Sequence, residues 1–177
     1  SPVKGVQQLI GGSLDIAHPT LYTAVNALAQ GAKFTLVGCI VNTLPYSMVA
    51  RPEIKNPADL VGKTVMLAFN RYAALATKNA YVSLLNAPFD LRAVAEGNQT
   101  LMEFGPLSQG YAMAVVAARP EYLKSNPTEV RAYLKATQEA IDWLYDPANK
   151  AEAIAILARD TKQDAAIAAA TYDDYVT

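Results

Sequence analysis

The sequence predicts an α/β protein with a helical C-terminal layer, and three observations carry that prediction. Short apolar, β-branched runs alternate with helix-like segments from Ser13 to Ala118. The stretch Asn56-Pro57-Ala58-Asp59-Leu60-Val61-Gly62-Lys63-Thr64-Val65 packs a capped turn, a glycine stop and the start of a buried strand into one short segment. Beyond Ala118 the strand-like runs cease and helix follows helix. Strands alternating with helices imply sheets covered by helices, and successive helices add a layer of their own.

Taken in order, Val3 to Leu9 reads as the end of a helix and Ser13 to Ala17 as a strand. Thr20 to Gln30 is a helix stopped by Gly31. Phe34 to Val41 and Tyr46 to Ala50 read as strands. Asn56 can cap, and Pro57 suits the first helical position, where its missing N–H would be unsatisfied anyway. Gly62 supplies the positive φ that ends this turn. Thr64 to Ala68 is an apolar strand leading to Asn70-Arg71 at a helix start, and that helix is expected to run to about Leu85. Asp90 to Ala95 reads as a strand, Gly97-Asn98-Gln99-Thr100 as a helix start, and Tyr111 to Ala118 as a strand. Asn126-Pro127-Thr128-Glu129 opens a helix to about Tyr145. Asp146-Pro147 restarts one to about Arg159, and Gln163 to Tyr175 forms another.

The bulk properties exclude several classes. A formal net charge of −1 over 177 residues gives no electrostatic footprint for nucleic acid or an anionic membrane. The longest apolar runs, such as Ala112 to Ala118, are too short to span a bilayer. The opening Ser1-Pro2-Val3-Lys4 has neither the charged nor the apolar region of a signal peptide, which fits a mature or trimmed chain as well as a cytosolic one. The lone Cys39 reads as a small buried hydrophobe and excludes an intrachain disulfide. No G-x-S-x-G, H-E-x-x-H or P-loop pattern is present, and no histidine or cysteine cluster suggests a metal.

Four segments carry a family resemblance. The Asn56–Val65 stretch resembles the "s-l-a-D-L-k-G-K-k-V" signature of bacterial ABC-transporter solute-binding proteins of the nitrate, sulfonate and taurine, NMT1/THI5-like group. Gly11-Gly12-Ser13-Leu14-Asp15-Ile16-Ala17 resembles the group's "G-x-x-D-i-a" strand. Ala29 to Gly38 is similar to its helix-to-strand "a-x-G-x-x-l-x-l-V". Tyr111 to Ala117, followed by Arg119-Pro120-Glu121-Tyr122-Leu123, is similar to its late hinge strand and following helix. The resemblance implies a type II periplasmic-binding-protein fold, with two α/β lobes, a hinge and a helical C-terminal layer. On it, residues 1–50 and 111–177 form lobe 1 and residues 51–110 form lobe 2. Ser13–Ala17 and Phe34–Val41 become parallel neighbours in one lobe, and Thr64–Ala68 and Asp90–Ala95 fall in the other.

The ligand-binding candidates follow from strand ends and from this resemblance. His18 and Thr20 lie just past a strand, at the carboxyl edge where α/β proteins place ligands. His18 has no nucleophile or carboxylate motif beside it, so it reads as a ligand hydrogen-bonder at most, or as a surface loop residue. Asn70 and Arg71 sit at the corresponding turn of the second lobe, where backbone N–H groups and a guanidinium favour anions; an Asn cap beside a solvated Arg is the plainer alternative. Tyr72 can stack on a planar ligand or simply pack, and Asn98 can bind or cap. By the resemblance Tyr46 and Tyr111 flank the cleft floor, where packing on a ligand and core packing are both open. Trp143 reads as core, and Asp173-Asp174 as a solvated helix end.

The function implied is capture of a small polar, anionic or heteroaromatic solute (a sulfonate, a nitrate-like anion, a pyrimidine or an aromatic acid) and its delivery to an ABC permease outside the cytoplasm. No catalysis, cofactor or metal is expected, and the protein is expected to be a monomer. The alternatives are a THI5-like pyrimidine-synthesis enzyme, whose cysteine-rich motif this chain does not carry, and a ligand-sensing domain. Three places lack what the resemblance implies: a first strand upstream of Ser1, a helix and strand between Phe104 and Gly105, and helices beyond Thr177. The expectation is therefore a fragment, or a chain with segments removed.

Overall fold

The computed structural model describes residues 2–66 and 72–176. Along the chain run α1 (Pro2–Ile10), β1 (Ile16–Ala17), α2 (Leu21–Ala29), β2 (Thr35–Val41), β3 (Ser47–Ala50), a 3-10 turn (Pro57–Leu60), β4 (Val65–Met66), α3 (Tyr72–Ala76), β5 (Val82–Leu85) and α4 (Phe89–Ala95). There follow β6 (Gln99–Glu103), β7 (Ala114–Ala118), α5 (Pro120–Ser125), α6 (Pro127–Tyr145), a second 3-10 turn (Pro147–Asn149), α7 (Lys150–Thr161) and α8 (Ala165–Val176). The chain divides into two compact units, Ser1–Leu44 with Ser108–Ile141, and Pro45–Leu107 with Asp142–Thr177. Residues 45–50 and 142–177 thus group with the second unit, whereas the sequence reading puts them in the first lobe. β3 belongs with the second unit because both of its partners, β5 and β6, lie there, and α8 lies against α4.

The first unit is built on a three-stranded sheet of order β1-β7-β2, with β7 antiparallel to both neighbours. Ile16 faces Ala118 in one pairing and Cys39 faces Val115 in the other. β1 and β2 are therefore separated by β7, not adjacent as the sequence suggests. The short apolar β7 is buried almost throughout, as a central strand should be. α1 buries Val6 and Leu9, three residues apart on one helix face, against Ala24, Phe34, Val115 and Ala117. β2 lies at an edge of the sheet that the described strands form. Cys39 is exposed there, with its thiol donating to the Val41 carbonyl at 3.3 Å, and the expectation of a buried cysteine is corrected.

The second unit carries a four-stranded sheet of order β4-β5-β3-β6. β3 is antiparallel to β5 and β6, and β4 is parallel to β5. Pleating sends successive β3 side chains to opposite faces. Val49 packs with Leu75, Leu85 and Ala93, under α3 and α4, while Ala50 packs with Ile54 and Val82 on the other side. The Asn56 turn forms as its sequence implies. Asn56 accepts from Ala58 N–H at 2.9 Å, and the Asp59 carboxylate accepts from Asn56 N–H at 3.0 Å.

Three segments differ from the sequence reading. The helix expected to reach Leu85 stops at Ala76, because Lys78 takes a left-handed conformation (φ 61°) and turns the chain into β5. Asp90–Ala95 is helical, not a strand; it forms part of α4, which turns Asp90 and Ala93, three residues apart, inward and leaves Val94 exposed. Gln99–Glu103 is a strand, not a helix start, since Gly97 (φ 92°) and Asn98 close the preceding helix. Trp143, read as core, is 36 % exposed.

Candidate functional site

In the first unit, β1 ends in buried Ala17 and the chain turns at His18, Pro19 and Thr20 into α2. The turn is held from both sides. Val115 N–H donates to the Pro19 carbonyl at 3.1 Å, and Leu21 N–H donates to the Met113 carbonyl at 3.0 Å. Thr20 is the N-cap of α2, its hydroxyl accepting from Thr23 N–H at 3.2 Å and lying 2.9 Å from the Thr23 hydroxyl. Pro19 is buried, so the backbone anchors there and leaves His18 exposed. The His18 Nε2 atom lies 2.5 Å from the Tyr133 hydroxyl on α6, with ring centroids 5.8 Å apart at 58°. Sequence reasoning missed Tyr133, which no local motif marks.

In the second unit the expected residues are less available. Asn70 and Arg71 lie outside the described residues. Tyr72 opens α3 and donates its hydroxyl to the Glu96 carboxylate. The Arg92 guanidinium lies 5.3 Å from the Tyr72 ring centroid, with its Nε 3.3 Å from Glu96. The Tyr72 hydrogen bond, helped by Arg92, holds the Glu96 carboxyl below its ordinary range, and the same bond raises the Tyr72 hydroxyl. Asn98 donates its side-chain amide to the Ala93 carbonyl at 2.9 Å while its backbone N–H bonds the same oxygen at 3.0 Å, so it helps close the end of α4 beyond the Glu96 C-cap. Tyr46 precedes β3, its carbonyl accepting from Phe104 N–H at 2.9 Å, and partial burial pushes its hydroxyl upward.

The second unit also holds a polar group that the sequence reading did not find. Ser47, the first residue of β3, stands in register with Leu85 on one side and Glu103 on the other. Its hydroxyl donates to Asp90 Oδ2 at 3.2 Å, and Leu91 N–H donates to Oδ1 at 2.7 Å. Asp90 is only 6 % exposed, and burial raises its carboxyl above the ordinary range against the pull of these two donors. Asp174 is raised by burial and by the charges of Asp90 and Glu103. Tyr175, which accepts from the Asn86 amide at 2.9 Å, is pushed up to about 12 by burial. Asp90 escaped notice because Asp90–Ala95 reads as a strand, whereas the helix is what turns this carboxyl inward. Among the described residues, no group of three or more His, Cys, Asp or Glu side chains is placed to hold a metal ion, and no helix is long and apolar enough to cross a membrane.

Two sheet-based units with helical cover make this an α/β protein, and its fold matches solved structures of the type II periplasmic-binding class. The chain matches the periplasmic aliphatic sulphonate binding protein SsuA from Escherichia coli with a TM-score of 0.78 at 19 % identity, over 98 % of this chain and 66 % of that one. The alkanesulfonate-binding protein SsuA from Xanthomonas axonopodis pv. citri, bound to MOPS, matches with a TM-score of 0.80 at 16 % identity, over 98 % of this chain and 71 % of that one. The periplasmic nitrate-binding protein NrtA from Synechocystis PCC 6803 matches with a TM-score of 0.75 at 16 % identity, over 99 % and 59 %. The chain belongs to the NMT1-like family, whose profile matches residues 56–158. No curated protein matches it.

Proposed function

We propose that this chain is part of the solute-binding component of an ABC importer and takes up a small polar, anionic or heteroaromatic solute outside the cytoplasm, with no bond made or broken. The observation that carries this reading is the family membership together with the fold shared with sulphonate- and nitrate-binding proteins. Polar side chains at strand ends support it, with His18 and Thr20 on the first unit and Tyr46 on the second. Asn70 and Arg71 complete the proposed ligand set. Tyr72 and Asn98 are supporting residues whose polar atoms already have partners.

A thermal-shift screen with ethanesulfonate, taurine, nitrate and an aminopyrimidine tests the reading, because a ligand that binds only the folded state raises the melting temperature. A saturable rise with one of these compounds, recovered unaltered afterwards, is the expected result. Release of a chemically changed product overturns it in favour of an enzyme. For an anionic solute, Arg71→Ala weakens binding by roughly 2–5 kcal/mol, the cost of breaking a desolvated charge pair. Unchanged affinity removes Arg71 from the site.

A further inference from the structure

We propose that Tyr133 is a positioning residue for His18, holding the neutral imidazole in the tautomer that carries its proton on Nδ1 and so presenting one fixed neutral donor to a solute's acceptor oxygen. The inference begins from a short contact, 2.5 Å between the Tyr133 hydroxyl and His18 Nε2. Of the two ways to place the proton, one pairs strong partners. A phenol O–H is a good donor, and the bare nitrogen of an imidazole is a good acceptor. The reverse arrangement asks a phenol oxygen to accept from a neutral ring N–H. The tyrosine therefore donates to Nε2, and the ring proton resides on Nδ1, since the partner of one ring nitrogen sets the state of the other.

The surroundings make this a fixed donor. The backbone at His18 is pinned by buried Pro19, whose carbonyl accepts from Val115, and by the Thr20 cap. The two rings meet at 5.8 Å and 58°, so Tyr133 restrains the imidazole by contact as well as by the hydrogen bond. Tyr133 reaches His18 from α6, 115 residues away in sequence, so the pair exists only once the first unit has folded. His18 is an exposed residue, and with Nε2 taken by Tyr133 the donor proposed to meet a solute is Nδ1–H. Its complement is an acceptor oxygen of a sulfonate, nitro, carboxylate or carbonyl group. This ligand role rests on the solute-binding reading above, whereas the tautomer does not.

The chain has a single histidine, so its imidazole nitrogen signals are unambiguous by NMR. The spectra are recorded at alkaline pH. The wild-type spectrum is expected to show a proton-bearing Nδ1 and a bare Nε2, with the proton moving mainly to Nε2 in Tyr133→Phe. A wild-type proton on Nε2, or identical ring signals in the two proteins, overturns the positioning role without any ligand present. Tyr133 is 37 % exposed, so the substitution leaves the core intact, and retained β-sheet and helix signals verify this in the same sample. Ethanesulfonate then serves as the probe. Tyr133→Phe is expected to weaken its binding roughly three- to tenfold, the scale of one neutral hydrogen bond. A shifted tautomer with unchanged affinity overturns the ligand role of Nδ1–H. Failure of ethanesulfonate and the other screened compounds to bind wild-type protein counts against the solute-binding reading itself, and the ligand-free spectrum still decides the tautomer.

Discussion

The Asp15 carboxylate and the Arg119 guanidinium meet at 2.5 Å, although 104 residues separate them in sequence. The pairing is doubled by the backbone, where Arg119 N–H donates to the Asp15 carbonyl at 3.1 Å. Together they tie the entrance of β1 to the exit of β7. Arg119 is also the N-cap of α5, so the same residue ends a strand and starts a helix.

Replacing Asp15 by Ala removes the ion pair and keeps the backbone bond. Both side chains are partly exposed, which screens the pair, so the expected loss is about 0.5–1 kcal/mol and shrinks at high salt. Urea denaturation at low and high ionic strength measures both numbers. A loss that does not depend on salt shows that the pair acts through geometry and not charge.

Asp90→Asn is expected to stabilise the protein at neutral pH. Burial raises the Asp90 carboxyl, so the folded state keeps its proton to a higher pH than the unfolded chain does. Between the ordinary aspartate range and that raised value the folded state binds more protons, and stability falls as pH rises through the window. Asparagine abolishes that fall and relieves repulsion with Glu103 while retaining an oxygen to accept from Ser47 or Leu91. The expected gain at neutral pH is on the order of 1 kcal/mol, the scale of one relieved buried polar group. A lower melting temperature for the variant would show that the two hydrogen bonds outweigh the burial of the charge.

Tyr175 is expected to contribute to the alkaline limb of the stability curve. Its hydroxyl is pushed up to about 12 by burial, so as pH rises above the ordinary tyrosine range the unfolded chain ionises first. The unfolded state then binds fewer protons and stability declines with pH. Tyr175→Phe is expected to flatten that decline and to remove the most alkaline phase of tyrosinate absorbance. Persistence of that phase assigns it to another tyrosine.

Helix and strand patterns were legible wherever local chemistry was decisive. Asn56, Asp59 and Gly62 encode their turn through a capping box and a positive φ, and Thr20 marks a helix start by its side chain alone. What escaped was set by distant partners. Val82–Leu85 follows a good helical sequence and becomes a strand because β3 and β4 flank it. Asp90–Ala95 reads as a strand and becomes a helix whose buried side holds a carboxylate. His18 was visible as the only histidine at a strand end, but Tyr133 reaches it through tertiary structure. Tyr72 and Asn98 carry the polar atoms the sequence advertised, and folding assigns those atoms to Glu96 and Ala93.

The position of β7 between β1 and β2 fixes an order of events as the chain leaves the ribosome. Among the described strands β1 and β2 bond only to β7, so those pairings wait until Ala114–Ala118 has been synthesised. The four described strands of the second unit's sheet have all been made by Glu103. β1 and β2 thus precede β3–β6 in the chain yet meet β7 only after those strands have been made, and for that interval they are open to chaperone capture or misassociation.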